Sequence, residues 1–160
     1  MEMSETLAKL AAGIDLDSDE MTALMQSIMT GEATPAQIGS ALTALRIKGE
    51  TVEEITAAAS VMRDLSSRVP VSYDEMIDTC GTGGSGVSKF NVSTASAIVI
   101  ASAGLRVAKH GNRAASGVSG SADVLEAAGL RLDMSPDAVA ASIEEVGVGF
   151  LFAVNHHSAM

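Results

Sequence analysis

Apolar residues recur at three- and four-residue intervals through residues 1–68, the spacing of amphipathic helices. Thr34-Pro35-Ala36-Gln37 combines a capping threonine, a proline at the first helical position and a glutamine three residues after the cap. Thr51 and Glu54 repeat the capping signal before the next helix. We expect the buried faces to carry Met21, Met25 and Met29; Ile38, Leu42 and Leu45; and Ile55, Ala58, Ala59, Met62 and Leu65. The pattern predicts a small helical bundle.

The spacing of apolar residues changes after Pro70. We interpret the segment around this proline as a hinge. Short apolar segments then alternate with helical ones, an order typical of a parallel sheet covered by helices. The predicted strands are 76–80, 106–109 and 148–153, and the predicted helices are 94–103, 122–128 and 135–146, although the Ile-Val-Ile core of 94–103 also permits a strand. We therefore predict an α/β fold with an N-terminal helical domain over 1–69 and an incomplete α/β domain over 70–160. The chain stops in polar residues without a closing helix, and we expect a truncated polypeptide.

Composition narrows the class of protein. The net charge of −10 argues against nucleic-acid binding, which draws its affinity from clustered Lys and Arg. No apolar run reaches the roughly 18 residues of a membrane span. Cys80 is the single cysteine, so no internal disulfide can form, which is typical of a reducing cytoplasm.

The charge is unevenly spread along the chain. No Asp or Glu stands between Asp78 and Asp123, whereas Lys89, Arg106, Lys109 and Arg113 all fall inside that window. An anion site at helix N-termini needs such an absence of carboxylates. The window is therefore a candidate anion-binding region.

Three segments of the window carry hydrogen-bond donors or cations next to predicted strands and helix starts. They are Gly81-Thr82-Gly83-Gly84-Ser85-Gly86, Asn91-Val92-Ser93-Thr94 and Lys109-His110-Gly111-Asn112-Arg113, extended by Ser116, Ser119 and Ser121. Ligands of α/β sheets lie beyond the carboxyl ends of the strands, where glycines let backbone N–H groups approach an anion. Donors and cations from three loops at one edge predict a ligand with more than one phosphate.

The motifs GTGG, NVST, KHGNRAASG, GSADVLEAAG and FLFAVNHHSAM together resemble the anthranilate phosphoribosyltransferase family. Its members transfer phosphoribose from phosphoribosyl diphosphate (PRPP) to anthranilate in tryptophan biosynthesis. The resemblance covers nearly the whole chain, and full-length members are much longer, which agrees with the expected truncation. It implies Mg²⁺ as cofactor. The Met-rich amphipathic helices at the N-terminus indicate a homodimer formed through them.

The resemblance also implies site residues. Those for PRPP are Gly81, Gly84, Ser85, Lys89, Asn91, Val92, Ser93, Thr94, Lys109, His110, Gly111, Asn112, Arg113, Ala114, Ala115, Ser116, Gly117 and Ser121; those for anthranilate are Gly81, His110, Asn112 and His157; and Ser93 would approach the metal. Ser85 stands where the family usually has Asp, and Lys89 where it usually has Thr, so the charge available to Mg²⁺ differs.

The implied chemistry requires no dedicated base, because diphosphate leaves readily once its charge is neutralised and C1 passes through an oxocarbenium-like state. In the family, the arginine for the anthranilate carboxylate and an Asp-Glu pair for magnesium lie beyond residue 160. If the 160 residues are the entire polypeptide, we expect little or no transferase activity. The alternatives are a nucleoside phosphorylase-like enzyme of the same architecture and a non-catalytic relative with a binding or structural role.

Overall fold

A computed structural model describes residues 2–81, 90–114 and 119–156, and within these ranges eight helices and two strands form. The described residues fall into two compact units, 2–66 and 67–156. The first unit consists of α1 (Met3–Ala11), α2 (Ser18–Met29), α3 (Pro35–Lys48) and α4 (Val52–Asp64). No helix in the described part of the chain is long and apolar enough to cross a membrane.

The helix starts of the first unit follow from their caps. The Thr34 hydroxyl accepts a hydrogen bond from the Gln37 N–H, and the Thr51 hydroxyl accepts one from the Glu54 N–H. Each capping box is closed by the third helical side chain, which bonds back to the capping backbone N–H. The two predicted starts are confirmed.

The core of the first unit lies between α2 and α4 and between α1 and α3. Its buried apolar residues include Leu10, Met21, Leu24, Met25, Met29, Ala41, Leu45, Ala57 and Val61. The three methionines are thus part of the core, as expected. Flexible thioether side chains on α2 suit the packing against α4, where Ala57 is a small buried residue.

Two of the predicted apolar faces are partly wrong. Leu42 is 52% exposed and Ile55 is 55% exposed, and Leu65 and Ala59 also lie at the surface. The buried face of α4 instead carries Glu54, Ala57 and Val61. Apolar residues stand on both sides of these helices, so periodicity alone could not decide which side meets the core.

A buried carboxylate joins α3, α4 and the segment before α2. Glu54 has no exposed surface, and its Oε1 accepts the Leu16 N–H at 2.9 Å. Its Oε2 accepts hydrogen bonds from the Thr51 N–H at 2.7 Å and from Lys48 Nζ at 2.9 Å. Burial opposes ionisation, but these three donors outweigh it and hold the pKa of Glu54 below its ordinary value.

We predict that Glu54→Gln destabilises the protein by about 2 kcal/mol at neutral pH, because an amide presents a donor to Lys48 or Thr51 where a carboxylate accepted. Urea unfolding followed by circular dichroism measures the change. The depressed pKa stabilises the fold above the ordinary carboxyl range, so the difference from wild type should shrink as pH falls through the pKa of folded Glu54.

Glu53→Gln is the matched control, since Glu53 is the exposed neighbour on the same helix. Equal unfolding midpoints for the two variants would contradict a stabilising role of the buried carboxylate.

The second unit contains α5 (Val92–Ser102), β1 (Val107–Gly111), α6 (Ser121–Ala127), α7 (Pro136–Val146), β2 (Val148–Phe152) and α8 (Ala153–His156). The strands β1 and β2 run parallel, with Lys109 opposite Phe150. The helix at 94–103 is confirmed, and its strand alternative is wrong. Alternating strands and helices form the predicted α/β arrangement.

The strand predicted over 76–80 does not form. Only Ile77 pairs with β1, through a single parallel bridge to Val107. Beyond Ile77 the contact with β1 passes to a side chain, because the Asp78 carboxylate accepts the N–H groups of Cys80 at 2.9 Å and of His110 at 3.2 Å.

The core of the second unit forms where α7 packs on β2. Val139, Ile143 and Leu151 are buried together there. Gly147 ends α7 with φ +83°, a left-handed conformation that lets β2 begin at once. Gly149 permits the close packing, since a Cβ there would lie 2.6 Å from Ile143 Cγ1. This packing fixes the sheet edge described next.

Candidate anion-binding site

The carboxyl end of β1 meets the start of α5 and the segments on either side of the sheet. Thr79 Oγ1 donates to the Ser93 carbonyl at 2.8 Å, and Asn91 Nδ2 donates to the Ser119 carbonyl at 3.3 Å. Lys109, from β1, also reaches Ser93. Residues distant in sequence are therefore held together at one edge, as the parallel topology predicts.

Lys109 is a buried cation at this edge. Its residue is only 2% exposed, and its Nζ lies 3.3 Å from Ser93 Oγ and 3.0 Å from the His110 carbonyl oxygen. Across the described ranges, no carboxylate forms a salt bridge with this ammonium group. Burial is the main cause that lowers the pKa of Lys109. The site thus contains a desolvated positive charge without a salt-bridged protein counter-charge in the described structure.

The first turn of α5 adds hydrogen-bond donors next to Lys109. The Thr94 hydroxyl is buried and has no hydrogen-bond partner among the described residues. α5 has 11 residues, and Ser93 and Thr94 lie in its first turn, where the helix dipole is positive. A buried hydroxyl without a partner is costly, so a ligand oxygen that reaches this turn would satisfy it.

Asp78 and His110 form a second polar contact at the same edge. Asp78 Oδ2 lies 2.8 Å from His110 Nδ1, and Oδ1 accepts the His110 N–H at 3.2 Å. Burial opposes ionisation of Asp78, but hydrogen bonds from Cys80 and His110 outweigh it and keep its pKa below the ordinary value. The contact ties the segment that leads to the glycine cluster to the end of β1.

Arg113 is engaged by two carboxylates of α6. Its guanidinium bonds to both oxygens of Glu126, at 2.7 and 3.0 Å, and to Asp123 Oδ1 at 3.0 Å. The other oxygen of Asp123 accepts the N–H groups of Ala114, at 3.0 Å, and Gly120, at 2.7 Å. Hydrogen bonding to Glu126 and then Asp123 raises the pKa of Arg113 above its ordinary value. Asp123 therefore joins the segment after β1 to the start of α6.

Two glycines allow these segments to approach. A Cβ on Gly120 would lie 2.5 Å from both the Ala114 nitrogen and the Arg113 carbonyl carbon. A Cβ on Gly111 would lie 2.6 Å from Phe150 Cε2. Both neighbourhoods are too tight for a side chain, so backbone contact at this edge depends on glycine.

The structure describes twelve of the predicted site residues and assembles several of them. The twelve are Gly81, Asn91, Val92, Ser93, Thr94, Lys109, His110, Gly111, Asn112, Arg113, Ala114 and Ser121, whereas Gly84, Ser85, Lys89, Ala115, Ser116, Gly117 and His157 lie outside the described residues. Lys109 meets Ser93 at the start of α5, where Thr94 is the next residue of the helix. The Asn112 carbonyl accepts the Ala122 N–H at 3.2 Å, which places Asn112 beside the start of α6.

Sequence reasoning missed the residues that hold the site together. Asp78, Thr79, Gly120, Asp123 and Glu126 make or permit the contacts described above. One signal was available, because Asp78 and Asp123 are the two carboxylates that bound the acid-free window. The absence of acids predicts a role for the residues inside the window, whereas the contacts of its two bordering carboxylates depend on the tertiary structure.

Two family models match the chain, one for each unit. The model described as "Glycosyl transferase family, helical bundle domain" matches residues 4–66, and "Glycosyl transferase family, a/b domain" matches residues 73–160. The second match covers more than half of the chain. The chain therefore belongs to this glycosyl transferase family.

Individual relatives carry a narrower name. The chain is 61% identical to an anthranilate phosphoribosyltransferase from Thioalkalivibrio sulfidiphilus and 59% identical to one from Cellvibrio japonicus. Each match covers 100% of this chain and 47% of the relative, so the chain spans about half the length of these curated relatives. The resemblance predicted from the motifs is confirmed.

Solved structures show the same fold. Anthranilate phosphoribosyltransferase from Thermus thermophilus matches with a TM-score of 0.87 and 43% identity, over 97% of this chain and 47% of that one. The Saccharomyces cerevisiae enzyme, solved in complex with PRPP and Mg, matches with a TM-score of 0.83 and 28% identity, over 99% and 48%. The predicted fold class, helical N-terminal part followed by a parallel α/β part, is confirmed.

We predict that Gly120→Ala destabilises the protein by about 1 to 3 kcal/mol, because the added methyl group overlaps backbone atoms that cannot rotate away. Urea unfolding measures the loss, and amide hydrogen exchange at Ala114 should accelerate as the contact opens. Gly39→Ala is the control, since a Cβ at Gly39 meets nothing within 4 Å inside α3. Wild-type stability in Gly120→Ala would show that the close approach is unnecessary.

Proposed function

We propose that the protein is a phosphoribosyltransferase that binds PRPP at the edge formed by β1 and α5 and transfers phosphoribose to the amine of anthranilate. The names of its relatives and the PRPP complex of the yeast enzyme support this assignment. The products would be N-(5-phosphoribosyl)anthranilate and diphosphate.

The observation that carries the proposal is the buried charge of Lys109. A desolvated ammonium group is costly unless an anion compensates it. No Asp or Glu occurs in residues 79–122, and the nearby Asp78 carboxylate, whose charge opposes the lowering of the Lys109 pKa, forms no salt bridge with Lys109 among the described residues. An anionic ligand would supply the missing charge, and the diphosphate of PRPP has oxygens for Lys109 and for the donors of α5 together.

The described residues fit the demands of the reaction. As the bond from C1 to diphosphate breaks, negative charge grows on the leaving group. Lys109 and the first turn of α5 would stabilise that charge without moving a proton. The Thr94 hydroxyl and the Ser93 side chain would orient the diphosphate, while Asn112 and His110 remain the predicted contacts for anthranilate.

Magnesium fits this part of the chain only together with substrate. Ser93 Oγ is the predicted metal contact, but it lies beside the Lys109 ammonium group and is a single neutral oxygen. Within the described ranges, no three His, Cys, Asp or Glu side chains are grouped so that they could hold a metal ion. Phosphate oxygens and water commonly complete the octahedral shell of Mg²⁺. We propose that Mg²⁺ arrives with PRPP and reduces the charge of the diphosphate.

Arg113 stays among the residues proposed for the PRPP site, but its proposed role differs from that of Lys109. Its guanidinium is shared between Glu126 and Asp123, so these carboxylates already balance its charge. We propose that it supports the shape of the site more than it neutralises phosphate.

The homodimer and the cytoplasmic location belong to the same proposal. Large apolar side chains are exposed on the helical unit, including Ile47 and Val52, each 81% exposed. A second copy would cover such surface. Analytical ultracentrifugation measures the oligomeric state. A monomer at all accessible concentrations would contradict the proposed homodimer.

Binding and turnover can be measured separately. We expect calorimetry to show Mg²⁺-dependent PRPP binding, and loss of anthranilate fluorescence then reports transfer. No PRPP binding at any magnesium concentration would overturn the proposed site. Phosphorolysis of a nucleoside by inorganic phosphate, without PRPP binding, would favour the nucleoside phosphorylase alternative.

We predict that Lys109→Met weakens PRPP binding by about 1.5 to 3 kcal/mol, because a charge-assisted contact is lost. The variant should unfold at the same or a higher urea concentration, since methionine removes the cost of burying a charge. Calorimetry and urea unfolding measure the two effects.

Lys9→Met is the control, as it removes the same charge from a partly exposed lysine in the helical unit. Unchanged PRPP affinity in Lys109→Met would show that Lys109 does not bind the ligand.

A further inference from the structure

The contact between Asp78 and His110 has a chemical consequence beyond joining two segments. The Asp78 carboxylate accepts hydrogen bonds from two residues: Oδ1 takes the N–H groups of Cys80 and His110, Oδ2 faces His110 Nδ1 at 2.8 Å, and the Cys80 thiol also bonds to the carboxylate. Its lowered pKa means that it is ionised and can only accept. The proton of the neutral imidazole must therefore sit on Nδ1, and Nε2 is left as an acceptor.

Nε2 is available for a ligand within the described structure. The imidazole is 43% exposed, and in the described ranges its only hydrogen bond is made through Nδ1. His110 is the penultimate residue of β1 and follows Lys109, whose buried ammonium group faces Ser93. Asp78 bonds to the imidazole and also acts on the Lys109 ammonium group by its charge, so a ligand held by that ammonium group would lie near an imidazole of fixed tautomer.

We propose that Asp78 is a positioning residue that fixes His110 in its Nδ1–H tautomer, so that Nε2 accepts a hydrogen bond from the amine of the aromatic substrate. The identity of that substrate rests on the proposed function, whereas the tautomer does not. An aromatic amine has N–H donors and one lone pair. An acceptor at Nε2 holds an N–H and leaves the lone pair to face C1 of the phosphoribosyl group.

The variant Asp78→Asn distinguishes an effect of Asp78 on the tautomer of His110 from an effect on the stability of the fold. The amide keeps one oxygen for the N–H groups of Cys80 and His110 and places an NH₂ donor where Oδ2 stood. The imidazole must then accept at Nδ1 and carry its proton on Nε2, the tautomer that would repel an N–H donor. The same exchange in Ser-His-Asp triads leaves the geometry intact and produces the wrong tautomer.

The tautomer can be observed directly by long-range ¹H–¹⁵N NMR of the histidine-labelled chain, well above the pH at which imidazole titrates. The His110 signals are assigned by their loss in His110→Gln. We expect the Nδ1–H form in the wild type and the Nε2–H form in Asp78→Asn. An Nε2–H form in the wild type, or the same tautomer in both proteins, would overturn the proposal.

Asp74→Asn is the matched control, because Asp74 is an exposed carboxylate on the same connecting segment. It should keep the wild-type tautomer. A switch in both variants would show that the change of net charge, and not the contact at Nδ1, sets the tautomer, and the proposal would fail.

Ligand-binding measurements test whether Nε2 of His110 contacts the amine of the aromatic substrate. With PRPP and Mg²⁺ saturating, Asp78→Asn should bind anthranilate roughly tenfold more weakly, while PRPP affinity stays within about twofold. Unchanged anthranilate affinity despite a switched tautomer would overturn the contact to the amine. If the wild type binds no PRPP, the proposed function and the identity of the aromatic substrate are both overturned. The NMR spectrum still decides whether Asp78 fixes the tautomer of His110.

Discussion

The buried charge of Lys109, which has no salt-bridge partner in the described ranges, is the constraint on which the rest of the α/β unit depends. A strand residue with 2% exposure would ordinarily be apolar, because burying an ammonium group costs free energy. The surrounding residues do not remove that cost in the described structure. They supply the Ser93 hydroxyl, the His110 carbonyl and the positive end of α5. The edge of the sheet is thus prepared for an anion at the expense of stability.

Carboxylates lie in the segments around this cation, but they form their hydrogen bonds with other residues. Asp78 binds His110 and Cys80, and Asp123 binds Arg113, Ala114 and Gly120. In each case the acid satisfies backbone N–H groups and one cationic or titratable side chain of the loop it supports. The acids therefore shape the segments around the site and leave Lys109 to a ligand.

Prediction succeeded where the determinants are local. Capping boxes at Thr34 and Thr51 and the proline at Pro136 fixed helix starts, since these signals act within one turn. It was wrong at Ile55 and Leu42, where apolar side chains point away from the core. It was also wrong at 76–80, where after Ile77 the Asp78 side chain, and not the backbone, bonds to β1. Both errors arise from contacts that periodicity does not contain.

The sequence alone determined the class of fold, the acid-free window and the motifs that identify the family, because composition and local spacing are written in the chain. Tertiary structure decided which cations remain without a counter-charge. Lys109 and Arg113 are four residues apart and equally charged, yet one is buried beside a serine and the other is bound by Asp123 and Glu126. That difference depends on distances between α6, α5 and β1, which only folding sets.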